Sequence, residues 1–160
     1  MAKVEKTNVM RILEQKKISY KCYEYANTEA ISGVEVAQVL GEDPNQVFKT
    51  LVTVAASKMN YVFMIPVHRE LDLKKAAKAV SEKSIAMIKS KELLPLTGYI
   101  HGGCSPIGMK KQFRTVIDES AKSFETIIFS AGKIGYQVEV SLLDLEKIVK
   151  IEIDEIIANE

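Results

Sequence analysis

The sequence predicts an α+β fold in a single domain over residues 1–160. Three observations predict it. Val47–Ala55 and Tyr61–Pro66 are strongly apolar, β-branched runs separated by a short polar turn, which is a hairpin. Several other stretches repeat their apolar residues at helical spacing. Strands and helices follow one another irregularly, with no βαβ rhythm, which favours α+β over a doubly wound sheet. At 160 residues, 47% hydrophobic and 27% charged, the chain has the length and the apolar content for one real core.

Taken in order, Thr7 is placed to cap a first helix whose apolar stripe is Val9, Ile12 and Leu13, with Lys16-Lys17 at its C-terminal end. Tyr20 to Tyr25 alternates as a short strand, Tyr20 and Cys22 facing one way and Tyr23 and Tyr25 the other. Ala26 to Ile31 is a polar connector. Ser32-Gly33-Val34-Glu35 fits a capping box for a helix that buries Val36, Ala37 and Leu40 and stops at Gly41 in the left-handed conformation. Asp43-Pro44 begins a turn into the hairpin. Leu71–Val80 is expected as an amphipathic helix with Leu73, Ala76, Ala77 and Val80 inward and Lys74, Lys75 and Lys78 outward. Ile85–Ile88 reads as a short strand, and Ser90 is expected to cap a short helix that Pro95 ends. Arg114–Asp118, Thr126–Phe129 and Tyr136–Val140 are strands, the last two joined by the glycine-bearing turn Ser130–Gly135. Ser141 and Asp144 resemble a capping box for a helix over Leu142–Val149, and the tail alternates as a further strand or helix.

Composition excludes several function classes. The net charge of +1 does not indicate a strongly basic nucleic-acid binder, though a local basic face is compatible with it. Two cysteines and two histidines make neither a disulfide framework nor a zinc site. P-loop and dinucleotide fingerprints are absent, so no cofactor is expected. The N-terminus has no apolar signal region and no run is long enough to span a membrane; the expected compartment is the cytoplasm.

Chemistry concentrates in three places. Tyr99 to Gly108 holds three of the eight glycines and one of the four prolines. Gly102-Gly103 lets a ligand approach the backbone, and Ser105-Pro106 stiffens the C-terminal half of the loop, a pattern that serves either an anion-binding nest or a tight connection. Lys49 lies inside the strongest strand, on the face of Val47, Leu51 and Thr53. An ammonium there is either an edge-strand lysine reaching to water or a cation lining a pocket. Ser130-Ala131-Gly132 ends an apolar strand with a hydroxyl and two amides, or is a routine hairpin turn. His101 and Cys104 invite a thiol hydrolase, but no third orienting group stands nearby and the apolar context does not lower a thiol pKa. No serine sits in a Gly-x-Ser-x-Gly elbow.

Phe48-Lys49-Thr50-Leu51, then Gly102-Gly103-Cys104-Ser105-Pro106-Ile107-Gly108 with Lys110-Lys111, then Ser130-Ala131-Gly132 followed by Gly135, together resemble the YbaK/EbsC family of aminoacyl-tRNA deacylases, in order and over Thr7 to Leu145. The family is related to the editing domain of bacterial prolyl-tRNA synthetases, and the Gly-Gly-x-Ser-Pro-x-Gly form looks most like its Cys-tRNA(Pro) deacylase branch. The resemblance implies a mixed sheet curled toward a barrel with helices around it, and an enzyme that removes cysteine mischarged onto tRNA(Pro), alongside prolyl-tRNA synthetase. It places the essential lysine at Lys49 and substrate-binding positions at Tyr23, Gly102, Gly103, Ser105, Ser130 and Gly132, with no metal. His101 and Arg114 depart from the expected pattern. Because no side chain here is an activated nucleophile, the substrate's own thiol is the expected one. The alternatives are an alanine-specific deacylase using water and a non-catalytic binding module.

Overall fold

The computed structural model describes residues 6–26, 30 and 32–159. Its elements are α1 (Asn8–Gln15), β1 (Lys21–Glu24), α2 (Gly33–Leu40), β2 (Phe48–Ala55), β3 (Asn60–Pro66), α3 (Leu73–Ala79), β4 (Ile85–Met87), α4 (Ser90–Thr97), β5 (Arg114–Asp118), a 3-10 turn (Glu119–Ser123), β6 (Thr126–Ser130), β7 (Tyr136–Ser141), α5 (Leu142–Glu146) and β8 (Ile151–Asp154). The class is α+β, as expected. Within the described residues the polar connector before α2 is represented only by Ala26 and Ala30; the rest of that expectation lies outside them.

The helix ends reflect local chemistry. Thr7 Oγ1 accepts the Met10 amide, and Ser32 and Glu35 bond reciprocally as a full capping box. Gly41 ends α2 at φ 67°, a conformation that costs glycine little. Two expectations need correction. Ser90 does not cap α4; the N-cap is Lys89, with no side-chain bond, and Pro95 lies inside the helix, which ends at Gly98. Proline removes only its own amide bond, and α4 is a surface helix on which water can serve the freed carbonyl. Leu73 opens α3 but is 42% exposed, because Asp72 is the N-cap and turns the first helical residue outward.

The strands form two sheets rather than one closed barrel. One is antiparallel with order β1-β7-β6; the other is mixed with order β4-β2-β3-β5-β8. They meet at a parallel bridge between Val47 and Ile128, where the Ile128 amide donates to the Gln46 carbonyl at 3.1 Å. Beyond the bridge β4 pairs with β2 only at Thr53–Ala55. Between Val47 and Thr53 this flank of β2 has no ladder partner, although β6 approaches it from the bridge.

The core has matching layers. Phe48, Met64 and Ile117 on one face of the larger sheet pack with Phe129 and Val138 of the smaller one and with Val9, Met10 and Leu13 of α1. The opposite face, Phe63, Ile65 and Val116, is covered by Ala76, Ala77 and Val80 around α3. Asp118, buried at the end of β5, accepts the amides of Ser120 and Ile156 and so ties the chain's end to the larger sheet. No helix among the described residues is long and apolar enough to cross a membrane.

Candidate functional site

The candidate site lies where β2 and β6 approach each other. The strands run parallel from the bridged pair Val47 and Ile128. Two residues on, Lys49 and Ser130 lie on the same side of their strands as that pair, because side chains alternate with period two. Ser130 is registered with Gln137 of β7, and Gln137 with Tyr23 of β1. One row across the smaller sheet thus carries Ser130, Gln137 and Tyr23, with Lys49 on the neighbouring strand.

Lys49 is half-buried, and its ammonium makes no hydrogen bond or ion pair among the described residues. On one side Lys49 is paired with Ile65 of β3; on the other, β4 pairs only with Thr53–Ala55, so β2 has no ladder partner at Lys49. A cation without a counter-charge beside a mostly apolar face is a place where an anionic or carbonyl ligand group can supply one. Thr50, the next residue, takes the opposite face of β2, where its buried hydroxyl oxygen has no partner. Nothing in the sequence singles out Thr50, since threonine in a strand is ordinary; only the missing partner marks it.

Two loops form the rim, and they touch. A Cβ on Gly103 would lie 3.2 Å from the Ile134 amide nitrogen, and one on Gly102 would meet the Ile134 side chain at 3.6 Å. Gly102 also has φ 88°, so the residue must be permissive as well as small. Tyr99 wedges behind both loops; its hydroxyl donates to the Ile107 carbonyl, and its ring would be 2.9 Å from a Cβ on Gly132. Ser105 is wholly buried and its Oγ accepts the Ile107 amide at 3.3 Å, a bond that holds the shape of the loop. Cys104 is buried beside Val52, Val62 and Phe113, and burial pushes its thiol up to about 12; it stays a protonated thiol. His101 is exposed on the loop, and Arg114 is committed to Glu152 at 2.9 Å on β8.

The expectation of open amides holds only in part. Gly103 donates to Ile100 at 3.0 Å, Ala131 to Tyr136 at 3.0 Å, and Gly132 to Ser130 Oγ at 3.1 Å. The turns that create these loops consume those donors. The amides of Gly102, Cys104 and Ser105 meet no acceptor among the described residues.

Beyond Ser130 the row continues into a polar cluster. Tyr23 Oη and Thr126 Oγ1 both donate to Glu139, and Gln46 donates to Thr126. The bond to Glu139 pushes the Tyr23 phenol up to about 12 and keeps it a donor. Glu139 is partly desolvated, yet the Thr126 and Tyr23 bonds hold its pKa below the usual range, so it remains an anion. Glu42, just past the end of α2, accepts from the Gln137 amide nitrogen, which lies 2.8 and 3.1 Å from its two carboxylate oxygens in the amide orientation that satisfies both groups. Burial pushes the Glu42 carboxyl up to about 7; the Gln137 bond opposes that shift and the Glu139 charge adds to it.

No group of three or more potential metal ligands is gathered among the described residues. Two clefts elsewhere, of about 470 and 410 Å³, are lined by Val54, Lys91 and Pro95 and by Arg69, Asp118 and Glu155 respectively, and neither includes a residue of the row just described.

Residues 28–148 match the model of the aminoacyl-tRNA editing domain. The chain is 51% identical, over 86% of its length and 84% of the relative's, to a protein of Enterococcus faecalis named, provisionally, as the Cys-tRNA(Pro)/Cys-tRNA(Cys) deacylase EbsC. It is 30% identical to a proline–tRNA ligase of Shouchella clausii over 69% of this chain and 19% of the ligase. A crystal structure titled, again provisionally, as a trans-editing enzyme for prolyl tRNA synthetase superposes with a TM-score of 0.81 at 24% identity, over 94% of this chain and 95% of that one.

Proposed function

The chain belongs to the aminoacyl-tRNA editing domain family and is an enzyme of the aminoacyl-tRNA deacylase type, and from that premise we propose that it removes cysteine mischarged on tRNA(Pro), acting in trans. The observation that carries this reading is Lys49, a half-buried cation without a partner among the described residues, beside the flank of β2 that has no ladder partner. It suits the anionic or carbonyl end of an aminoacyl ester.

The reaction needs no protein nucleophile. The cysteinyl thiol attacks its own ester carbonyl, so a carbon–sulfur bond forms and the carbon–oxygen bond to the ribose breaks. The thiol proton ends on the departing ribose hydroxyl, and a cyclic thiolactone leaves. Holding the two reacting atoms together is worth up to roughly 7–11 kcal/mol. The amides of Gly102 and Cys104 are the donors left over for the developing oxyanion, each worth about 3 kcal/mol. Tyr23, Ser130 and the two glycine loops, with Gly103 and Gly132 at their contact, shape the pocket. Cys104 is withdrawn from competition by its burial. The expected partner is prolyl-tRNA synthetase, in the cytoplasm.

Deacylation of Cys-tRNA(Pro) beside Ala-tRNA(Pro) tests the reading. Wild type is expected to release cysteine rapidly and alanine slowly, and Lys49→Ala to lose at least about 100-fold with its melting temperature kept, as for a charge acting on the transition state. Release of alanine instead would move the chain to a water-using deacylase. No release of either would leave a binding module.

A further inference from the structure

Glu42 has no role in the thiol chemistry, yet its placement is unusual. Its amide donates to the Ala37 carbonyl at 2.8 Å in the turn that ends α2 at Gly41. That turn sets the carboxylate over the smaller sheet, against Gln137. Gln137 is 6% exposed and sits in register between Ser130 and Tyr23. The groups facing Glu42 are the Gln137 amide, the Glu139 carboxylate and the Tyr23 phenol. None is a cation, and the described ion pairs include none to Glu42. Glu139, by contrast, has two hydroxyl donors, with the Lys21 charge nearby.

Two side chains therefore flank the row with no opposite charge beside them among the described residues, Lys49 on the strand next to Ser130 and Glu42 against Gln137. We propose that Glu42, oriented by Gln137, is the subsite for the free α-ammonium group of the aminoacyl end. This rests on the reading of the ligand as an aminoacyl ester, which carries an ammonium one carbon from its carbonyl. Lys49 and Glu42 would hold the two ends of that unit. A cation entering beside Glu42 meets a carboxylate that burial leaves wanting a counter-charge, and a charge-assisted hydrogen bond forms in a part-desolvated place. An amide nitrogen carries no such charge, so the subsite would spare N-acylated and peptidyl-tRNA.

The test uses two non-hydrolysable probes, 3′-cysteinylamino-3′-deoxyadenosine and the same molecule lacking the α-amino group, together with turnover of Cys-tRNA(Pro) and N-acetyl-Cys-tRNA(Pro). Calorimetry on wild type is expected to show the amino probe bound about 10- to 100-fold more tightly than the des-amino probe. Glu42→Gln is expected to bind both alike, and its loss of turnover should appear on Cys-tRNA(Pro), mainly in KM, and not on the N-acetyl substrate. A variant that weakens both probes equally, or one that keeps the preference, overturns the subsite. If wild type turns over neither substrate but still prefers the amino probe through Glu42, the catalytic reading fails while the subsite stands. Glu42→Asp, which keeps the charge on a shorter arm, should recover part of the preference; no recovery alongside an intact fold counts against a charge-based role.

Discussion

Cys104 and Glu42 are both titratable side chains taken out of water, and burial leads them to opposite uses. Burial keeps Cys104 a thiol and makes it packing. Glu42 is only half-buried, so its pKa of about 7 leaves it poised between acid and anion near neutrality. That has a consequence for stability. A carboxyl whose pKa is higher in the folded than in the unfolded chain binds more protons when folded. Stability therefore falls as pH rises from the unfolded value, about 4.3, to about 7, and is level above that. Discounted for solvent screening of a half-exposed group, the loss is about 1 kcal/mol. Glu42→Gln removes the titration, so it should melt higher than wild type at pH 8 and its advantage should vanish toward pH 4. Parallel melting curves for the two proteins across that range would show that Glu42 is not desolvated in solution.

At the scale of elements, the two loops of the rim depend on glycine for different reasons. Gly132 needs both its left-handed backbone and the space that Tyr99 and Val9 would otherwise deny it. Gly103 is not in the left-handed region, and its constraint is the backbone of Lys133 and Ile134 3.2–3.5 Å away. Backbone yields less readily than a flexible side chain, so Gly103→Ala should push the two loops apart. The expected result is a modest stability loss, about 1 kcal/mol, with deacylation down about 10-fold or more. Unchanged turnover at reduced stability would mean that the contact between the loops does not shape the site. Most elements were legible in the sequence because their signals are local: the Ser32 to Glu35 box, the Val47 to Pro66 hairpin and the placement of Lys49 on its strand all rest on neighbouring residues. The illegible part depends on distant partners. Alternation says which face a residue takes but not which strand lies beside it, so the division into two sheets, with β4 claiming the end of β2, could not be read from it. The Ala131 amide is taken up by Tyr136, and Glu42 looks like turn punctuation until β7 brings Gln137 against it.

At the scale of the molecule, the charge balance sets how nucleic acid can be held. Twenty-two basic and 21 acidic side chains leave a net charge of +1, and several lysines are already engaged, as Lys75 is with Glu155 and Lys147 with Asp144. Near the rim the exposed cations after the glycine loop are Lys110 and Lys111, while Lys133 on the loop it touches is engaged, its ammonium 5.4 Å over the Tyr136 ring. Two such cations match the few phosphates of a single-stranded acceptor end, not the face of a whole tRNA. Each phosphate neutralised on a single strand contributes about −0.7 to the slope of log affinity against log salt, so binding by the isolated chain should show a slope of about −1.4. It should also be weak and nearly indifferent to tRNA identity, which a synthetase partner would then supply. A filter-binding series in increasing salt, with tRNA(Pro) and an unrelated tRNA, measures both quantities. A slope steeper than about −5, or a strong preference for tRNA(Pro) by the chain alone, would place an extended basic surface on this protein and remove the need for a partner.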